Sequence, residues 1–396
     1  MRLMYVLEYY YPNIGGVETL FKNLIESLAR EGHQITVITS RITRDLPLHE
    51  KSGNIQIVRM PFNNRYLFTF LGFFYLLPYI RKVDLVHTTS YNAAIPAFFG
   101  GKLFGKQVII TFHEVWGNLW FRLPYMGRIA KYAHYLFEQA LLKLPFNHFV
   151  GVSDSTSQNL IESSVSSNKV STIYNGINYD DFKLPQPVMP SSEKKKFTFT
   201  YFGRLGISKG WNLLLEAFPQ VFQEYPDIEL KMIIPEEPPS FLKIINDYIQ
   251  NNELENSIHL MHHLSFENLK REIAKADCIL IPSYSEGFCF AAVETIALGV
   301  PLISSDQTAL REVVSGKFIK MKTLSVDALV KAMKKALDDQ WEISPVREFH
   351  LADTIVRYKG LYGVVLGARG QGRGVRGQGR GVRGEEPGGE KLKMKI

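Results

Sequence analysis

The feature that most constrains this chain is a rhythm. Short apolar runs alternate with amphipathic stretches, and the alternation runs twice. Residues 3–7, 35–39, 55–59, 83–87, 108–112 and 149–152 read as buried strands. Helical patterns such as 17–30 and 129–143 lie between them. That order predicts a parallel sheet with crossover helices. Residues 184–196, LPQPVMPSSEKKK, interrupt the rhythm with three prolines, two serines and a charge run. This is linker composition. Strands are expected again at 197–202, 229–234, 257–260, 278–281 and 301–304, and late helices at 328–337 and 354–361. A chain of 396 residues suits two domains rather than one core. The simplest architecture is α/β, two doubly wound domains facing each other across a cleft, with ligands beyond the carboxyl ends of the strands.

Charge and composition narrow the classes. The net charge of +7 is uneven: residues 1–185 carry +5, residues 186–366 carry −3 and residues 367–396 carry +5. Basic regions favour anionic partners: a phosphate, an anionic membrane or nucleic acid. Only Cys278 and Cys289 occur, too few for a disulfide framework or a cysteine metal site. The start is not a signal peptide, since Glu8 breaks its short apolar run. No apolar stretch reaches the roughly 18 residues of a membrane span. A cytoplasmic protein is expected, at most peripheral on the inner face of the membrane. Residues 66–80, rich in Phe, Tyr and Leu, are flanked by Arg65, Arg81 and Lys82 and interrupted by Gly72 and Pro78. They read either as an interfacial segment or as an ordinary buried helix plus turn. The heptad Arg-Gly-Gln-Gly-Arg-Gly-Val occurs at 369–375 and again at 376–382. With no apolar face there, the tail 367–396 is expected to be disordered.

Chemistry concentrates in a few places. The strongest is Pro282-Ser-Tyr-Ser-Glu286-Gly287-Phe288, followed by an apolar helix to Leu298 that Gly299 and Pro301 terminate. Glu294 interrupts that helix, and a buried carboxylate needs a partner: the diol of a ribose, or a core Arg or Lys. Glu286 falls off the face of Glu294 and belongs to the preceding loop. Gly287 would let a ligand approach the backbone, and the helix start offers N–H groups to an anion. Next comes Gly203-Arg204 with Lys209-Gly210, at the first strand-to-helix turn of the second half. Arg204 can grip a phosphate bidentately and Lys209 can act as a point charge. Read alone, they are two cations on a loop. Gly15-Gly16-Val17-Glu18 opens the first helix, and His113-Glu114 ends a strand. His259, His262 and His263 cluster, but no metal site is expected from them.

Taken together these residues resemble glycosyltransferase family four, the retaining group 1 glycosyltransferases of the GT-B fold, over about residues 1 to 363. The likeness rests on Gly15-Gly16, His113-Glu114, residues 174–182 (YNGINYDDF), Gly203-Arg204-Leu205 with Lys209-Gly210, and the E-x7-E pair Glu286 and Glu294. It implies two Rossmann-like domains: an acceptor-side domain at 1–183, a linker at 184–196, and a nucleotide-sugar domain at 197–350. A helix at 351–366 would return to the first domain. It implies that Arg204 and Lys209 hold the donor diphosphate and Glu294 the ribose. Glu286 would contact the transferred sugar, and His113 would sit by the reacting carbon. Gly15, Gly16, Gly203, Gly287 and Phe288 would complete the donor site. The expected activity is that of a retaining hexosyltransferase in glycan biosynthesis. It would use a UDP- or GDP-linked sugar, with no metal or other cofactor, and a sugar or lipid-linked acceptor. Contact with an anionic membrane is expected to be peripheral, and nucleic acid is not expected as a partner. The alternatives are a GT-B sugar-nucleotide epimerase and a non-catalytic nucleotide-sugar or RNA-binding protein. Cys289 and His263 stand where the family usually has Gly, and Asn178 and Asn212 where it usually has Asp.

Overall fold

The computed structural model describes residues 1–13, 15–184 and 196–374, with side chains through 367. The first domain holds an eight-stranded sheet: β1 (Arg2–Val6), β2 (Gln34–Ser40), β3 (His49–Ser52), β4 (Ile55–Met60), β5 (Leu85–Thr89), β6 (Gln107–Phe112), β7 (His148–Gly151) and β8 (Val170–Thr172). Their spatial order is β3-β4-β2-β1-β5-β6-β7-β8, all parallel except the edge pair β3–β4. Helices α1 (Gly16–Arg30), α2 (Arg65–Ile80), α3 (Ala94–Leu103), α4 (Arg128–Leu142) and α5 (Asp154–Glu162) accompany it. Alternation along β1 shows why both sheet faces are apolar. Leu3 and Tyr5 pack with α1, and Met4 and Val6 with α2 and α3.

The second domain repeats the plan with β9 (Phe197–Phe202), β10 (Ile228–Ile233), β11 (Ile258–Met261), β12 (Cys278–Ile281), β13 (Leu302–Ser305), β14 (Gly316–Met321) and β15 (Glu342–Ser344). The order is β11-β10-β9-β12-β13-β14-β15, and only β15 runs antiparallel. Its helices are α6 (Trp211–Glu224), α7 (Pro239–Asn251), α8 (Phe266–Ala274), α9 (Phe290–Ala297), α10 (Leu310–Val313) and α11 (Val326–Leu337). Helix starts follow capping chemistry: the hydroxyls of Ser153, Ser265 and Ser325 accept the N–H three residues on.

The last helix, α12 (Leu351–Gly374), leaves the second domain and docks on the first. Its Tyr362 hydroxyl lies 2.6 Å from His87 Nδ1 and 3.0 Å from the Tyr5 hydroxyl, while Tyr358 meets Thr111 at 3.1 Å. Burial pushes His87 down to about 3, so the imidazole stays neutral in this dry network.

Two expectations change here. The closing helix does not stop at 366. It runs to Gly374, so residues 367–374, assigned to the disordered tail, are helical; 375–396 lie outside the described residues. A helix already anchored by buried Tyr358 and Tyr362 adds further turns at little cost. Most of the linker, 185–195, also lies outside the described residues. Finally, residues 65–80 form one unbroken helix, not a helix plus turn. Pro78 falls in its last turn, where it forgoes its own N–H bond and bends at most the final residues rather than breaking the helix.

Candidate active site

The second domain presents its charged side chains from loops at the carboxyl ends of β9 and β12. After β9 the chain turns at Gly203, whose φ of 144° suits glycine, and delivers Arg204, which is exposed. Gly210 opens α6 with φ 71° and its Cα against the Pro282 carbonyl, so the β9 and β12 loops lie together. That packing brings Lys209 Nζ within 2.7 Å of Glu286 Oε2. Ser283 donates to the other Glu286 oxygen at 2.8 Å. Thr308, after β13, clasps the Glu286 backbone by accepting from its N–H at 2.9 Å and donating to its carbonyl at 2.8 Å.

The first domain supplies the opposite wall from the end of β6. Glu114 accepts from Ser285 of the second domain at 3.0 Å and from the Trp116 indole at 2.7 Å. Burial pushes its carboxyl up; Lys209 pulls it down and Glu286 adds to the rise. Burial opposes the charge on Lys209, but Glu286 and Glu114 outweigh it and hold the ammonium above its ordinary value. Lys209 is therefore a fixed cation between two acids. The Gly287 backbone sits directly on the His113 carbonyl, leaving no room for a Cβ.

His113 differs from its neighbour. Burial first, and the Arg204 charge second, lower its pKa to about 4. Its Nε2 is buried and has no hydrogen-bond partner among the described residues. A neutral imidazole with an open ring nitrogen beside Arg204 is poised to bond a polar ligand. The glycine loop closes the same wall: a Cβ on Gly15 would lie 3.3 Å from Arg204 Nη1, and one on Gly16 2.7 Å from the Phe290 ring.

Glu294 lies one turn into α9 and is partly buried. Among the described residues its carboxylate has no ion pair and no hydrogen bond, so no core Arg or Lys accounts for it. Burial alone pushes it up to about 7. No side chain caps α9, which leaves first-turn N–H groups open to an anion.

The structure thus gathers Gly15, Gly16, His113, Gly203, Arg204, Lys209, Glu286 and Gly287 around one cleft. Phe288 is different: it is buried between Phe290 and Phe349, so its ring belongs to the core. The apolar helix begins at Phe290, not Phe288, because Cys289 adopts φ 72°. Residues 174–182 lie outside the cleft and pack against the start of α12, with Gly176 on the His350 backbone. The three histidines are separately engaged: His259 with Glu229 at 3.7 Å, His262 with the Ile234 carbonyl at 2.7 Å and His263 with Glu236 at 2.8 Å. Among the described residues no His, Cys, Asp or Glu group is arranged to hold a metal. Sequence reasoning gave no role to Ser283 and Ser285, though both lie within the Pro282–Phe288 motif, missed Thr308 and Phe290, and undervalued Glu114.

Residues 14–181 match the family model Glycosyltransferase Family 4, and residues 187–348 match Glycosyl transferases group 1. A human phosphatidylinositol N-acetylglucosaminyltransferase subunit is 25% identical over 342 residues, covering 84% of this chain and 67% of that protein. The alpha-monoglucosyldiacylglycerol synthase of Streptococcus pneumoniae is 22% identical over 359 residues, 85% of this chain and 78% of the relative. Among solved structures, the sucrose-phosphate synthase of Thermosynechococcus elongatus superposes with a TM-score of 0.71 at 18% identity, covering 94% of this chain and 98% of its own. The fold is GT-B, and the chain belongs to glycosyltransferase family four, the group 1 glycosyltransferases.

Proposed function

We propose that the protein moves a sugar from a nucleotide-diphosphate donor to a lipid-linked acceptor, with retention of anomeric configuration and without a metal. The observation that carries the donor is the contrast at the cleft. Arg204 is exposed, Lys209 is held charged, and among the described residues Arg204, Glu294 and His113 Nε2 have no side-chain partner. A nucleoside diphosphate sugar satisfies all four. Its diphosphate takes Arg204, Lys209 and the start of α9, its ribose diol donates to Glu294, and a sugar hydroxyl reaches His113.

Negative charge grows on the diphosphate as the sugar bond breaks. Arg204, Lys209 and the helix N–H groups offset it, which is the work a metal would otherwise do. Lys209 then turns from Glu286 toward the phosphate, and Glu286, held by Ser283 and Thr308, is left to accept from the transferred sugar. The lipid acceptor is supported by the names of two relatives, both of which act on lipids. The test follows label from UDP-, GDP- and ADP-sugars into organic-extractable product, in EDTA. Label should enter with one donor and fall at least about 100-fold in Arg204→Ala, a loss typical of removing a charge-stabilising group. Transfer that needs manganese, or no transfer from any donor, overturns the proposal.

A further inference from the structure

The first domain carries an apolar surface that nothing in the described residues covers. Helix α2 has two apolar faces. Phe68, Gly72, Leu76 and Ile80 pack inward. Tyr66, Leu67, Phe70, Leu71 and Phe74 point outward, with Phe70 73% and Phe74 61% exposed. A helix apolar all round belongs inside something, and here half of it faces out. Helix α4 repeats the arrangement. Its Leu141 and Leu142 are buried, while Ile129, Tyr132 and Leu136 form an exposed stripe at helical spacing. Arg65, the first residue of α2, is near enough to the middle of α4 that its charge, after burial, lowers His134. Helix α3, packed on α2, adds exposed Phe99 and Leu103. A hollow of about 250 Å³ lined by Phe74, Tyr75, Pro78 and Tyr79, with His49 and Val58, deepens the outer side of α2.

Charge identifies the occupant. Residues 61–150 contain nine Lys and Arg but only three acids. None of those acids opposes an incoming anion. Glu138 is buried and takes N–H bonds from Trp116, Gly117 and Trp120. Glu114 is engaged in the cleft, and Asp84 is paired with Arg2 at 2.7 Å. Exposed aromatics flanked by exposed Arg81 and Lys82, with Arg65 paired to Glu8, match the headgroup boundary of an anionic bilayer, with Phe and Tyr inserted and Lys and Arg at the phosphates. The patch also adjoins the cleft. Arg65 makes an ionic contact of 3.3 Å, without hydrogen-bond geometry, to Glu8 at the end of β1. Asn92 donates to the other Glu8 oxygen at 2.8 Å.

We propose that the outer faces of α2 and α4 dock the first domain on an anionic phospholipid bilayer, with the cleft opening at the membrane plane beside Arg65 and Glu8. No helix among the described residues is long and apolar enough to cross a membrane, so the contact is interfacial. That docking serves sugar transfer rests on the function proposed above; docking itself does not.

Co-sedimentation of the full chain with vesicles tests it. Phosphatidylcholine alone is compared with phosphatidylcholine carrying about 30% phosphatidylglycerol, at about 0.1 M salt where charges act over about 10 Å. The anionic vesicles should capture the protein and release it near 1 M salt, where that range falls to about 3 Å. Arg81→Gln with Lys82→Gln should weaken partition about 25-fold, at about fivefold per cation. Phe70→Ser with Phe74→Ser should weaken it at least about tenfold. These are exposed positions, and an unchanged melting temperature and unchanged transfer to a soluble sugar acceptor certify each variant. No capture by anionic vesicles, or equal capture by neutral ones, overturns the proposal. So does sedimentation velocity showing a dimer that Phe70→Ser dissolves, because the face then belongs to a second copy. Docking without sugar transfer sinks the proposed function and leaves this inference standing.

Discussion

Replacing Glu294 by Gln should stabilise the free protein and weaken its hold on the donor. Glu294 has no partner among the described residues, and burial raises its pKa from 4.5 to about 7. Below pH 4.5 the carboxyl is neutral folded and unfolded, and the two states differ by no proton. Between pH 4.5 and about 7 the unfolded chain releases its proton before the folded one, so stability falls across that window and levels off above it. The full loss is about 3 kcal/mol at most. Gln cannot ionise, and it returns much of that energy at pH 8, less about 1 kcal/mol for an amide without partners. At roughly 2–4 °C per kcal/mol, a gain of several degrees is expected. Donor binding should show the opposite sign. The ionised carboxylate accepts the ribose diol, so wild-type affinity should rise about tenfold from pH 6 to pH 8 as the group titrates near 7. Glu294→Gln should bind about 5- to 150-fold more weakly at pH 8 and show no such rise. Scanning fluorimetry without ligand and calorimetry with the donor at three pH values measure both. A lower melting temperature for Glu294→Gln at pH 8, with unchanged donor affinity, would mean a structural ion pair and refute the reasoning.

Lys209→Ala should lower turnover about 100-fold or more while changing donor affinity far less, because charge on the diphosphate grows only as the bond breaks; calorimetry beside saturating kinetics separates the two. His113 is neutral above about pH 5, so turnover should show no ionisation from it between pH 6 and 9. His113→Ala should cut turnover and leave that profile unchanged, as initial rates across the range would record. Gly16→Ala places a methyl 2.7 Å from the Phe290 ring and should raise the donor KM, with recovery in the double variant Gly16→Ala, Phe290→Leu. Cys289→Gly should keep or raise the melting temperature, because φ 72° costs an L-residue about 1 kcal/mol or more.

The strands were legible where burial wrote itself as apolar or largely apolar runs, as in β1, β6 and β12. Four other strands carried no such signal. The β3 segment His49–Ser52 is polar and solvent-facing, β8 (Val170–Thr172) and β15 are short, and β14 alternates lysine with apolar residues, so none of the four stands out along the chain. The charged residues Arg204, Lys209, Glu286 and Glu294 stood out along the chain because they lie within two loops and one helix. Their partners were not, because contacts such as Ser285 to Glu114 and Gly287 on His113 join residues about 170 positions apart that only the packed domains bring together. The two positions flagged as replacing glycine, His263 and Cys289, both hold positive φ, 53° and 72°. There the backbone keeps a glycine-like turn that the residue type disguises. No side chain among the described residues partners Glu294, which the apolar helix α9 leaves at a partly open wall rather than in the core. On α2, composition could not choose between core and surface, because both faces are apolar and only three-dimensional packing assigns one of them to the interior.

Retaining transfer of a sugar from a nucleotide donor is the activity proposed for the cleft. The most direct measurement is proton NMR of the isolated product, reading the anomeric coupling of the newly attached sugar with nucleoside diphosphate release followed alongside. One diphosphate should be released per sugar attached, and the product should keep the anomeric configuration of the donor in the presence of EDTA. An inverted anomer, or a bound donor whose sugar is never passed to an acceptor, would contradict the claim.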